Sequence, residues 1–477
     1  PWPGWLFYAS TQFNPRNPWW EDFAALNAYV TRVQSALQSG EPDNEVLLYW
    51  PYADVVHDPE GKAHLLTVHH VDWLTETSFG HAARQLTAAG YAFDYISDDQ
   101  LAATHVDQDG QLATPGHRYR LLVVPPVEHL PLPSLRQLIS LARAGAAIQI
   151  LAIPADVPGL GNLAARRSEF TTLVAELRTL AADPRLALTI NPPSAPELDV
   201  NFLRNYVTAE PMAASGLELV RRRTTAGWVY FIANLTASDF DGWLPLGVAA
   251  QDVILTDPLN GMVGRPDLRT KSRAVRLQLA SGQSVLLTAN ARPLPPTAPW
   301  SAVSPFAPAI PLTGEWSLTF LSGGPTLPPT QTLSAPVDWT TLGDPEAQRF
   351  GGTARYQLTF TLPTAPADTT DWLLDLGDVR ESAQVRINGQ LVGPSWSLPH
   401  RLRIGSHVRP GVNVIEIDVT NLAANRIRDL DRRGIEWRIM QEINFVNIKY
   451  EPFDASSWPL TPSGLLGPVT LTPLRSP

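Results

Sequence analysis

Apolar positions change their period along this chain, from helical to mixed to strictly alternating. Phe23, Leu26, Val30, Val33 and Leu37 recur at i, i+3, i+7, i+10 and i+14, which predicts one amphipathic helix after an aromatic loop. Glu21 and Asp22 stand at its start, where the helix dipole favours negative charge, and Gly40 lies just past its end. One helix cannot bury such a stripe by itself. It must pack on a later part of the chain or on something upstream.

From about residue 45 to 190 strands and helices alternate, within a unit that runs over 45–214. Val46-Leu47-Leu48-Tyr49-Trp50, Ala92-Phe93-Asp94-Tyr95-Ile96, Arg120-Leu121-Leu122-Val123-Val124 and Ala147-Ile148-Gln149-Ile150-Leu151 are apolar runs of buried-strand type. Residues 79–89 and 133–144 carry helical patterns that stop at Gly90 and Gly145. Short loops between such units predict a parallel sheet covered on both faces, a flavodoxin-like α/β domain. Its first turn, Pro51-Tyr52-Ala53-Asp54, has no G-x-G-x-x-G fingerprint, so a structural role is favoured over a nucleotide site.

From 215 to 290 the alternation has period two, as in Trp228 to Asn234 and Ser284 to Thr288, with Asp257-Pro258-Leu259-Asn260-Gly261 as a turn; this predicts a small antiparallel β-sandwich. Residues 291–311 hold seven prolines (293, 295, 296, 299, 305, 308 and 311) and read as a semi-rigid linker. Residues 312–477 are again all β, with strands at Arg355–Phe360, Trp372–Leu376, Ala383–Ile387 and Val414–Val419. Asn388-Gly389 is a strong hairpin signal, because both central positions of a type I′ turn need positive φ.

Composition narrows the function. Hydrophobic residues are 44% and charged residues 17% of the 477, without a run of about 18 apolar residues that would span a membrane. The formal charge of -10 disfavours nucleic acid or an anionic membrane as partner, and the absence of Cys removes disulfides, thiolate metal sites and cysteine nucleophiles. The 45 Pro suit β-rich units with stiff connectors, and the 15 Trp suit sugar-binding faces or large aromatic cores. The chain opens Pro1-Trp2-Pro3-Gly4-Trp5, without an initiator Met, on residues that look like a domain interior.

Two stretches carry a family resemblance. Tyr8-Ala9-Ser10-Thr11-Gln12-Phe13-Asn14-Pro15-Arg16-Asn17-Pro18-Trp19-Trp20, Tyr29 to Gln34 and Gly40 to Pro51 resemble the end of the catalytic barrel in α-L-rhamnosidases of glycoside hydrolase family 106. Gly314-Glu315-Trp316, Gly352 to Tyr356, Leu374 to Gly377, Val385 to Gly389 and Gly411-Val412-Asn413 resemble the sugar-binding-type (galactose-binding-like) jelly roll of family 2 glycosidases. The resemblance implies five parts: 1–44 the end of the catalytic barrel, 45–214 the flavodoxin-like domain, 215–290 the small sandwich, 291–311 the linker and 312–477 the jelly roll. It also implies a bacterial enzyme, periplasmic or extracellular, that hydrolyses terminal α-L-rhamnosyl linkages, with a rhamnose-containing carbohydrate as partner and possible use of calcium.

Inverting hydrolysis needs two carboxylates about 6.5–9.5 Å apart, one as acid and one activating water. The resemblance places both upstream of the Trp-Trp loop, so the chain is expected to be a C-terminal part without them. Substrate contacts are expected from Asn14, Arg16, Asn17, Trp19 and Trp20, which offer amide and guanidinium donors beside aromatic faces. The competing possibility is that Trp19 and Trp20 bury against the following helix. Arg426 and Trp437 are candidates within the long segment from Asn425 to Trp458, which reaches back to the barrel mouth or packs on the flavodoxin-like domain. Asp429 and Asp431 are expected to pair with Arg428, Arg432 and Arg433 on a solvated loop. His69-His70 with Asp72 lacks the i, i+4 spacing of a helical zinc pair, and no G-x-S-x-G elbow supports a serine nucleophile. Two alternatives to the enzyme stay open, a non-catalytic carbohydrate-binding protein and a structural accessory protein.

Overall fold

In a computed structural model, residues 13–15, 17–57, 71–300, 302–362, 366, 368–437, 449 and 451–476 are described. The chain is mixed α/β. It begins with a 3-10 turn, Pro18–Glu21, leading into α1 (Phe23–Leu37). Every residue of α1 keeps some exposure, so its apolar stripe is only half covered.

A parallel sheet follows. Its elements in chain order are β1 (Val46–Tyr49), α2 (Ser78–Ala88), β2 (Phe93–Ile96), β3 (Leu121–Val124), α3 (Leu132–Arg143), β4 (Ala147–Ile150), α4 (Leu163–Ala181) and β5 (Leu188–Ile190). The strand order is β2-β1-β3-β4-β5, one of the two common doubly wound orders. The continuous apolar runs are explained by burial on both faces. Leu47, Tyr49, Leu122, Val124, Ile148 and Ile150 share a core with Leu135 and Leu138 of α3 and with Phe170 and Leu177 of α4. The alternate positions Val46, Leu48, Leu121 and Val123 pack with Phe79, Ala82 and Leu86 of α2.

Next come β6 (Glu218–Thr224), β7 (Gly227–Ala233), β8 (Phe240–Pro245), β9 (Asp252–Thr256), β10 (Ala274–Leu279) and β11 (Ser284–Asn290). They form two antiparallel sheets around one core that includes Tyr230, Ile232, Leu244, Val275 and Leu287. Glu41–Pro42, just after α1, pairs with β6 at the edge of the larger sheet. Gly40 makes that pairing possible: its φ is +64°, and a Cβ there would lie 2.0 Å from the Arg223 carbonyl oxygen.

Arg221 of β6 locks this unit to the parallel-sheet unit. Its guanidinium, 8% exposed, meets Asp43 at 2.7 Å and Glu210 at 2.9 Å. Glu210 also accepts from the Tyr230 hydroxyl at 3.0 Å and the Gly247 amide at 2.7 Å. A buried charge this well paired is costly to leave alone, so removal of one partner destabilises more than the pair itself contributes.

Residues of the Pro-rich 291–311 segment are stitched to both neighbours. The Leu294 amide donates to Asp252 at 2.9 Å, and Trp300 N donates to the Arg265 carbonyl at 2.7 Å. Ser304–Pro305 and Ile310–Pro311 pair with the last strand of the chain.

The C-terminal unit contains β12 (Trp316–Gly324), β13 (Gly351–Leu362), β14 (Asp371–Asp375), β15 (Ser382–Ile387), β16 (Gln390–Ser395), β17 (Arg401–Arg403), β18 (Gly411–Thr420), α5 (Ala424–Arg432) and β19 (Thr470–Arg475). One sheet runs β12-β13-β18-β15-β16, and the facing sheet contains β19-β14-β17. Alternate residues of β13 and β18, among them Tyr356, Leu358, Phe360, Ile415 and Ile417, fill the core between them with Trp316 and Trp372. Asn388 and Gly389 have φ of +53° and +78° in the two-residue turn from β15 to β16, as the type I′ pattern demands.

Candidate functional site

The Asn14–Trp20 loop is built from successive tight turns. Asn17 N donates to Asn14 O at 3.0 Å, Trp20 N to Asn17 O at 3.1 Å and Asp22 N to Trp19 O at 3.0 Å. Asn17 takes the extended conformation (φ -78°, ψ 133°) that the following Pro18 imposes. Phe23 is the hub of the aromatic side chains. Phe13 stacks on it at 4.9 Å, Trp20 at 5.4 Å, and Trp19 meets it edge-on at 5.8 Å. Trp19 and Trp20 are thus half-buried against the first residue of α1 and still partly open. Arg16 lies outside the described residues.

Asp22 fixes where this loop sits. Its buried carboxylate accepts from the Ser382 hydroxyl and, at 2.8 Å, from the Gln384 amide, both on β15. These residues lie on the outer face of the sheet, since Ala383, Val385 and Ile387 point into the core. The same face carries an ion-pair ladder. Arg355 meets Asp418 at 2.6 Å and Glu416 at 2.7 Å, and Arg386 meets Asp418 at 2.8 Å. Further along α1, Tyr29 bonds Ser284 at 2.8 Å and rests edge-on against Trp396, while Arg32 donates to Pro258 O at 2.9 Å. The helix therefore touches both β units.

Arg426 and Trp437 belong to a second cluster. The sequence pattern reads 425–458 as a long loop; in the structure residues 424–432 form α5, whose Arg426 lies beside Gly351 at the start of β13. Arg426 donates to Asp429 at 3.0 Å, and Arg433 donates to the same carboxylate at 2.7 Å. Burial holds the Arg426 guanidinium below its ordinary value, with Asp429 opposing. Trp437 is 7% exposed and donates its indole N–H to Asp431 at 2.6 Å; Asp431 also accepts from the Ala455 amide at 2.8 Å. Asp429 thus pairs with Arg433 as expected and with Arg426 besides, whereas Asp431 holds Trp437.

The two clusters meet on one end of one sheet. The Pro18–Glu21 turn and α5 both abut β13. Ser382 pairs across β18 at Thr420, which faces Thr353 near the start of β13, two residues from the Gly351 that Arg426 flanks. The side chains of Thr353 and Thr420 hydrogen-bond at 2.8 Å between them. Nothing in local spacing signals this meeting, because it depends on a contact 360 residues apart in sequence.

His69 and His70 lie outside the described residues. Among the described residues no three His, Asp or Glu side chains converge as metal ligands, and no helix is long and apolar enough to cross a membrane. Calcium stays an expectation of the resemblance alone.

Residues 2–265 match the glycoside hydrolase family 106 profile, described as alpha-L-rhamnosidase. The chain belongs to this family. The resemblance carried by the Trp-Trp loop and by Gly40 to Pro51 is borne out over that span. A solved rhamnosidase from Novosphingobium sp. PP1Y has the same fold over 98% of this chain, at 24% identity and a TM-score of 0.71, and the chain spans 42% of that structure. A curated protein of Formosa agariphila, whose name refers to beta-glucuronidase, is 31% identical over 183 residues, 35% of this chain and 16% of that protein. The chain thus spans less than half of the solved rhamnosidase, and its match covers a small part of the Formosa agariphila protein.

Proposed function

We propose that this chain is the accessory and barrel-mouth part of an enzyme that hydrolyses terminal α-L-rhamnosyl linkages. The match of residues 2–265 to family 106 carries the proposal. In this reading 1–44 close the catalytic barrel, 45–214 are a flavodoxin-like domain, 215–290 a small sandwich, 291–311 a connector and 312–477 a sugar-binding-type jelly roll. The enzyme inverts configuration with two carboxylates carried outside these residues, and acts in the periplasm or outside the cell.

The loop then serves as a wall of the sugar site. Asn14, Arg16 and Asn17 supply donors to hydroxyls, and the open parts of Trp19 and Trp20 supply apolar surface to a sugar face. Arg426 borders the same end of the sheet as the loop, and the Asp431-bound Trp437 holds the segment behind it. Binding contacts of this kind act through orientation, so their loss lowers kcat/KM without abolishing it. The test is kinetic, on the protein at its full encoded length with an aryl α-L-rhamnoside. Asn17→Ala and Trp20→Ala should each lower kcat/KM at least tenfold; unchanged kinetics in both would remove the loop from the site.

A further inference from the structure

A cleft of about 1290 Å³ opens between α1, the small sandwich and the C-terminal sandwich. A second space of about 300 Å³ adjoins it and shares Trp300, Gln283 and Arg401 with it. The larger space exceeds the roughly 300–1,000 Å³ of ordinary small-molecule pockets, which suits an extended ligand more than a single small molecule.

Its walls combine apolar surface with charge of both signs, nearly balanced. Leu373, Leu402 and the half-buried Trp300 supply the apolar part. The charged side chains on its walls are Asp239, Asp241, Asp257 and Asp371 against Arg32, Arg401 and Arg403; Asp239 meets Arg401 at 3.4 Å, Asp371 meets Arg403 at 2.6 Å, and Asp241 is held by Arg276, which does not line the cleft. Asp239 and Asp241 keep 58% and 50% of their side-chain surface exposed, so each pair still presents open acceptor and donor positions to the cleft. With four carboxylates against three guanidinium groups on the walls, the cleft has little net field, and what remains repels an anion. It does offer alternating acceptors and donors beside an indole, the complement of hydroxyls and C–H faces on a neutral sugar.

We infer that this cleft is a second carbohydrate site that takes a neutral oligosaccharide of several units, separate from the Asn14–Trp20 loop. The inference rests on the proposed carbohydrate activity for its ligand class only, and not on catalysis. The walls come from three parts of the chain, so the ligand would bridge them and favour their observed arrangement.

Isothermal titration calorimetry of the protein at its full encoded length tests it, with a neutral tetrasaccharide that carries no terminal rhamnose and a uronate-bearing tetrasaccharide of the same length as probes. Ala28→Trp fills the cleft from α1, and Trp300→Ala removes the indole. The neutral probe should bind at least tenfold tighter than the uronate probe, and both variants should weaken it at least tenfold with unchanged circular dichroism. Should Trp300→Ala unfold, Ala28→Trp alone decides. No binding by the parent chain, equal binding of both probes, or unchanged binding by Ala28→Trp would overturn the inference. Rhamnoside hydrolysis that persists without cleft binding would sink this inference and leave the proposed function standing.

Discussion

The carboxylate of Asp22 accepts hydrogen bonds from Ser382 and Gln384, joining the first turn of the described chain to the outer face of the last sheet. That contact orients the aromatic loop before it and α1 after it. It also explains why an acid stands at the start of α1: its side chain makes no capping bond to the helix and is committed to β15 instead. The sequence pattern suggested a dipole role for Asp22, and the structure gives it a tertiary one.

Asp22→Ala should therefore loosen the loop and α1 from the C-terminal sheet. Hydrogen bonds to a buried charged group contribute about 1.5–3 kcal/mol, and the variant also leaves Ser382 and Gln384 unpaired. A loss of about 2–3 kcal/mol is expected in urea denaturation, with faster proteolysis near residues 38–40. Stability equal to that of the parent would show that the loop is held by its aromatic packing alone.

Trp437 offers a cleaner separation of packing from polar contact. Trp437→Phe keeps a ring beside Phe453 and loses the N–H to Asp431, which retains the Ala455 amide. The expected cost is about 1 kcal/mol, against about 3–5 kcal/mol for Trp437→Ala, from the cavity left in a buried site. Equal costs for the two variants would mean that the indole N–H, and not the ring, secures this segment.

His400 gives the fold a measurable pH dependence. Burial holds its imidazole below the ordinary 6.5, with Asp378 and Asp375 partly opposing, and its Nδ1 lies 2.8 Å from the Ser395 hydroxyl. The folded state then binds fewer protons than the unfolded state below pH 6.5, so this stability is present above 6.5 and is lost as pH falls through the depressed value. Urea denaturation at pH 7.5 and 5 should show a larger loss for the parent than for His400→Gln. An identical loss in both would assign the pH dependence to other groups.

Local order was legible where period and turn chemistry agree. The four strands around Leu48, Tyr95, Val123 and Ile148 lie where their apolar runs placed them, and Asn388-Gly389 turns as its φ requirement predicts. Helix α4 was not visible, because only Phe170 and Leu177 of its residues are buried and the rest carry no sustained stripe. Helix α5 was missed for a related reason: among its residues only Asn425 and Leu430 are buried, and charge dominates the remainder. The Arg221 network and the Asp22 contact could not be read at all, since each joins groups whose meeting is set by how whole units pack. The candidate loop was recognisable by its residues and by family resemblance, whereas its position against β13 was not.

The most direct test of the account is the substrate preference of the protein at its full encoded length. An aryl α-L-rhamnoside and an aryl β-D-glucuronide, offered in parallel, separate the family 106 reading from the activity named for the Formosa agariphila relative. The account predicts release of L-rhamnose with inversion at the anomeric carbon, and at least a hundredfold lower kcat/KM for the glucuronide. Preference for the glucuronide, or failure to cleave the rhamnoside, would contradict it.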